Sequence, residues 1–180
     1  MWKLLHGLIW PAVAGSVVWA FFTVAVDRWS AIGDAGYLVA AQLVALFFFA
    51  VYLAADWWYT NQKEVNMRPY YWPFDALLAI GITVSTIALS LTVLEIKAAK
   101  YSMALAFFTT AIGHLLGAWE EHRPQEHEVS WFNRVWLAVI NFFGSVILLV
   151  FWCNLSLWPL SIAVAVVVVF YIAFMERIMR

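Results

Sequence analysis

Apolar residues fall in six long blocks along the chain, and the short stretches between them collect nearly all of the charge. The blocks are 4–26, 36–55, 76–94, 101–119, 135–153 and 157–175. Nineteen residues of α-helix rise about 28 Å, close to the hydrocarbon thickness of a bilayer. Backbone groups in lipid must be hydrogen-bonded within their own segment, so each block predicts a transmembrane helix. The period-2 alternation of a membrane barrel is missing. The pattern predicts an all-α integral membrane protein with a single domain over 1–180. Its six transmembrane helices form three hairpins, hung from two longer connections, 56–75 and 120–134.

Composition agrees with that reading. Hydrophobic residues make up 66% of the chain and charged residues 12%, where soluble domains carry about a quarter charged residues. Mean hydropathy is +0.85. A soluble fold of 180 residues could not hide that much apolar surface. A net charge of −1 with no basic tract excludes a nucleic-acid partner. The single cysteine, Cys153, excludes an internal disulfide and a cysteine-rich metal knuckle. Ala12-Val13-Ala14 has the form of a signal-peptidase site. The apolar run continues past it to Val26, however, so 4–26 reads as the first span and not as a cleaved leader.

The basic residues orient the helices. With the N-terminus inside, Lys3, Lys63, Arg68, Arg123, Arg134, Arg177 and Arg180 lie on the inner side, and Arg28, Lys97 and Lys100 on the outer. Seven against three puts both termini in the cytoplasm of a multi-pass cell-membrane protein. Trp57, Trp58, Trp119 and Trp136 then mark the inner interface, and Trp29, Trp152 and Trp158 the outer one.

Small residues recur at the spacing that lets membrane helices approach: Ala12, Ser16 and Ala20; Gly81 and Ser85; Thr109, Gly113 and Gly117. They predict packing within one bundle, and they also suit a homo-oligomer or a partner subunit in the membrane. The last block, with its AVAVVVVF run, predicts a helix facing lipid. Pro11 predicts a kink one turn above His6.

Polar chemistry within the blocks is sparse, which makes each such residue a candidate. Gln42, His114 and Asn141 are the strongest, with hydroxyls concentrated on the third block. His114 falls about 7 Å inside the inner end of the fourth block. Thr110, His114, Gly117 and Glu121 share one helical face, and Arg134, Asn141 and Ser145 share another on the next helix. A solute or proton site is expected there: His114 facing Asn141, Thr110 and Ser145 beside them, and Glu121 with Arg134 closing the cytoplasmic end.

Other readings of the same residues stay open. His114 also fits a packing histidine bonded to Thr110. His6 and His114 both fall near the inner interface, so a bis-histidine haem is compatible with their placement. Glu120, Glu121, His122, Glu126, His127 and Glu128 crowd the second inner connection. They lack the spacing of a zinc motif, and Pro124 separates the two clusters, so no metal is expected. Signatures of serine hydrolases and P-loops are missing. Three function classes remain: a bundle that binds or passes a small solute or proton, an accessory or assembly subunit of a larger membrane complex, and a membrane enzyme or haem carrier using the inner His/Glu cluster.

Overall fold

The computed structural model describes residues 5–28, 32–62, 72–91, 96–121, 128–151 and 156–179. A π-helical turn, Leu5–Ile9, leads into α1 (Trp10–Asp27). There follow α2 (Ile32–Gln62), α3 (Trp72–Leu91), α4 (Ile96–Glu121), α5 (Glu128–Val150) and α6 (Trp158–Met179). Five of these are long and apolar enough to cross a membrane: Gly7–Asp27, Gly36–Ala55, Ile96–Trp119, Trp131–Val150 and Trp158–Met175. The apolar part of α3, Ala76–Ser90, is shorter.

The helices run past the apolar blocks. α2 extends to Gln62, α3 begins at Trp72 and α5 at Glu128, so helix covers part of the stretches 56–75 and 120–134 that the sequence reads as connections. Hydropathy marks where a helix meets lipid, while its hydrogen-bond ladder continues into water. Pro11 sits at the start of α1, where a missing N–H is harmless. The break in α-helical geometry lies in the π-helical turn before it, which contains His6.

The six helices close into a ring. Around it α1 packs on α2, α2 on α6, α6 on α5, α5 on α4, α4 on α3, and α3 returns to α1. Hydrogen bonds bring opposite helix ends together. Arg28 at the end of α1 meets Gln42 near the start of α2 and Ser90 at the end of α3. Lys100 at the start of α4 meets Phe151 just beyond α5. Ser161 at the start of α6 donates to Ala41 O at 2.6 Å. Successive helices therefore alternate in direction.

Burial follows the ring and not the hydropathy. On α5 the buried face carries Asn133, Asn141, Gly144 and Ser145 among Leu137, Ala138 and Leu148, while Phe132, Trp136, Phe142, Phe143 and Ile147 are exposed. Polar groups inside and aromatic groups outside are what a bundle in lipid requires. The apolar surface presented outward is bilayer-facing, and the chain is a multi-pass membrane protein.

Two packing expectations are corrected. α6 does not lie loosely against lipid, since Leu160, Ala163, Val164, Val167, Val168 and Tyr171 are buried against its neighbours. Its unbroken valines disguise a helix with one buried side. The small residues of α1 divide: Ala20 is buried, but Ala12 and Ser16 face outward, and the contact with the bundle runs through Val13, Val17 and Val24. On α3 and α4 the small residues do permit close approach. A Cβ at Gly81 would collide with Ala106 Cβ, and one at Gly113 would stand 3.3 Å from the Phe74 ring. Ser85 adds a hydroxyl–hydroxyl bond to Ser102 Oγ (2.8 Å) across the same interface.

Candidate functional site

Two contacts set how α4 and α5 lie together. Lys100 Nζ donates to Phe151 O at 3.1 Å, and a Cβ at Gly144 would stand 3.1 Å from Phe107 Cδ2. Both belong to one antiparallel register, which places Thr110 level with Asn141, His114 with Leu137, and Gly117 with Arg134. Lys100, Phe107 and His114 are seven apart in sequence, close to two helical turns, so they form one stripe of α4. That stripe faces α5. His114 accordingly lies in depth between Asn141, one turn toward the Lys100 end, and Arg134, on the other side.

The environment of His114 is unusual for hydrocarbon. The residue is half-buried, but Nε2 is fully covered and has no hydrogen-bond partner among the described residues. Its neighbours on the two stripes do not supply one. Thr110 Oγ1 donates to Ala106 O at 2.8 Å, within its own helix, and Asn141 Nδ2 donates to Leu137 O at 2.9 Å, also within its own helix. Ser145 is buried one turn further along. Arg134, half-buried at the other end, is close enough for its charge to act on His114. An unpartnered buried polar atom costs about 1–3 kcal/mol. Thr86 Oγ1 on α3 is the other side-chain atom in that condition among the described residues.

The closing pair expected from the sequence, Glu121 with Arg134, has no side-chain geometry to examine. The level of Arg134 belongs to Gly117, and Glu121 lies one turn further along α4, its side chain outside those described. The side chain of His6 is likewise outside them, as are His122, Glu126 and His127. The bis-histidine haem and the inner His/Glu cluster therefore have no geometry to examine. Among the described residues no three His, Cys, Asp or Glu side chains come together.

At the opposite end of the bundle, sequence reasoning singled out Gln42 but missed its partner Arg28. Arg28 Nη1 donates to Gln42 Oε1 at 2.8 Å and Nη2 to Ser90 O at 3.3 Å, while Gln42 Nε2 donates to Leu89 O at 3.1 Å. Gln42 is 1% exposed. One guanidinium thus joins three helices and satisfies a carbonyl at the C-terminus of α3. Lys100, also 1% exposed, does the same at the end of α5. Cations are favoured at helix C-termini, where carbonyls lack intrahelical partners. The available signal was position: each basic residue borders an apolar block within reach of such an end.

No family model, curated protein or solved structure matches the chain, so functional inference rests on this geometry.

Proposed function

We propose that the chain is a small polytopic membrane protein whose helical bundle binds or passes a small solute or proton between α4 and α5. The observation that carries this reading is the unpartnered Nε2 of His114, buried on the stripe that meets α5. Asn141 and Ser145 on α5, with Thr110 on α4, supply further polar groups at neighbouring depths, and Arg134 with Glu121 lies toward the exit. Hydrocarbon penalises an unpaired imidazole nitrogen, and packing alone would be served better by leucine. We further propose that the π-helical end, the C-terminus and the stretches 63–71 and 122–127 lie on the cytoplasmic side of the cell membrane, by the seven-to-three distribution of basic residues. A cysteine placed at position 125 in a Cys153→Ser background should then react with an impermeant maleimide only from the cytoplasmic side. Reaction from outside alone would reverse the orientation.

The site is tested in proteoliposomes. The full chain should show either dye-reported proton uptake under a potassium diffusion potential or thermal stabilisation by members of a panel of small polar solutes. His114→Gln should lose that response by roughly tenfold or more. A native protein with neither response, or a variant that keeps it in full, would remove the proposal.

A second reading, as an accessory subunit, is favoured by one observation. Only 28% of the α1 span is buried, against 44% in α2 and α4, and a Cβ at Gly15 would meet nothing within 4 Å. Recovery of the native chain in a defined complex with another membrane protein, lost on Gly15→Leu, would support it. Absorbance of the purified protein in the Soret region reads the haem alternative directly.

A further inference from the structure

We propose that the Arg28 corner, besides tying three helices, holds the phosphate of a phospholipid headgroup in the leaflet at that end of the bundle. The proposal is independent of His114.

The guanidinium is fixed in place but not neutralised. Its Nη1 donates to Gln42 Oε1 at 2.8 Å and its Nη2 to Ser90 O at 3.3 Å, both uncharged acceptors. Buried Gln42 is itself pinned, through Nε2, to Leu89 O. A guanidinium carries five N–H donors, so these bonds leave three to serve an anion. Arg28 is half-buried and makes no ion pair among the described residues, and neither does its exposed neighbour Asp27. A cation partly withdrawn from water is costly without a counter-charge. A planar fork held from one side suits a phosphate, which accepts parallel N–H bonds.

Two features of the surrounding surface point to a lipid as the bearer of that phosphate. The apolar part of α3, Ala76–Ser90, rises only about 22 Å, against about 30 Å for a hydrocarbon core. A short span draws the headgroup layer inward around it. Ser90 O, which Arg28 holds, belongs to the last residue of that short span. Exposed apolar stripes also climb both helices toward the guanidinium: Val18, Phe22 and Val26 on α1, and Ile80, Val84 and Ile87 on α3. A headgroup seated at Arg28 lays its acyl chains against that surface.

Other charges at this end lie across the ring or outside view. Lys97 and Lys100 open α4, and Lys100 is engaged with Phe151 O. The side chains of Asp34 and Glu95 are outside those described.

The test uses the full chain, purified in dodecyl maltoside and stripped of lipid. It is titrated with phosphatidylglycerol, with diacylglycerol of the same acyl chains, and with inorganic phosphate. Native mass spectrometry counts bound lipid, and the thermal unfolding midpoint reads stabilisation. A saturable phosphatidylglycerol adduct that raises the midpoint is expected, with diacylglycerol binding weaker by about tenfold or more. Arg28→Gln should weaken the phosphatidylglycerol adduct by a similar factor. Arg28→Lys replaces it should the glutamine variant fail to fold. An ammonium has three N–H donors, and Gln42 with Ser90 O takes two, so binding should fall by about threefold. Equal binding of diacylglycerol, or phosphatidylglycerol binding unchanged in the folded variant, would overturn the proposal. Stabilisation by millimolar inorganic phosphate to the same extent as by lipid would assign the corner to a free anion and overturn it as well.

Discussion

The corner where α1, α2 and α3 meet and the seam between α4 and α5 both bury polar side chains, but they treat them differently. In the corner, Arg28 and Gln42 are joined to each other and to the carbonyls of Leu89 and Ser90. In the seam, Thr110 and Asn141 bond within their own helices, and His114 Nε2 bonds to nothing described. A satisfied network ties helices together, whereas an unsatisfied atom weakens the fold that carries it. The corner is therefore read as structural and the seam as functional.

That contrast makes opposite predictions for stability. The largest effect should come from Gln42→Leu. It removes the tie between Arg28 and α2, deletes the bond to Leu89 O, and leaves a guanidinium facing an apolar side chain. Hydrogen bonds to charged groups are worth about 1.5–3 kcal/mol, while interhelical bonds in membranes average less, about 0.6 kcal/mol. The partly buried charge places this case near the upper values, at about 2 kcal/mol. The midpoint of thermal unfolding in nanodiscs should then fall by roughly 4–8 °C for a chain of this size. A fall of less than a degree would show that the corner is not a staple.

Much of this architecture was legible in the sequence. Six apolar blocks became six helices, because block length and the need to satisfy backbone groups in lipid leave little choice. The helices continue beyond the apolar blocks, as at Gln62 and Glu128, since hydropathy does not register polar helix, while the block 36–55 coincides with the apolar span Gly36–Ala55. Which face of each helix looks inward was less legible. In a soluble protein an apolar stripe marks the core. Here both faces are apolar, so the valines of α6 gave no sign that Val164 and Val167 are buried. Ala12 and Ser16 gave none that they point outward. Gly144 was passed over because it stands alone, without a second small residue four places away, although it lies between Phe107 and Val167.

The candidate site was legible in part. His114, Asn141 and Arg134 could be chosen because polar side chains are rare at membrane depth, and the seven-residue spacing of Lys100, Phe107 and His114 already lay in the chain. The register was not available. It depends on how Phe107 fits Gly144 and where Lys100 finds a carbonyl. The hydrogen bonds of Thr110 and Asn141 to their own helices were equally out of reach, since they depend on side-chain rotamers.

The smallest expected stability change is also the most direct test. His114→Leu exchanges an imidazole with an unpartnered nitrogen for an apolar side chain, in a seam already lined by Leu137 and Phe107. The measurement is its thermal unfolding midpoint beside the native protein in the same nanodiscs. The account predicts a midpoint equal to the native value or higher, by up to about 1 kcal/mol of stabilisation. A fall matching that of Gln42→Leu would mean that His114 holds the bundle together, and would contradict the functional reading of the seam.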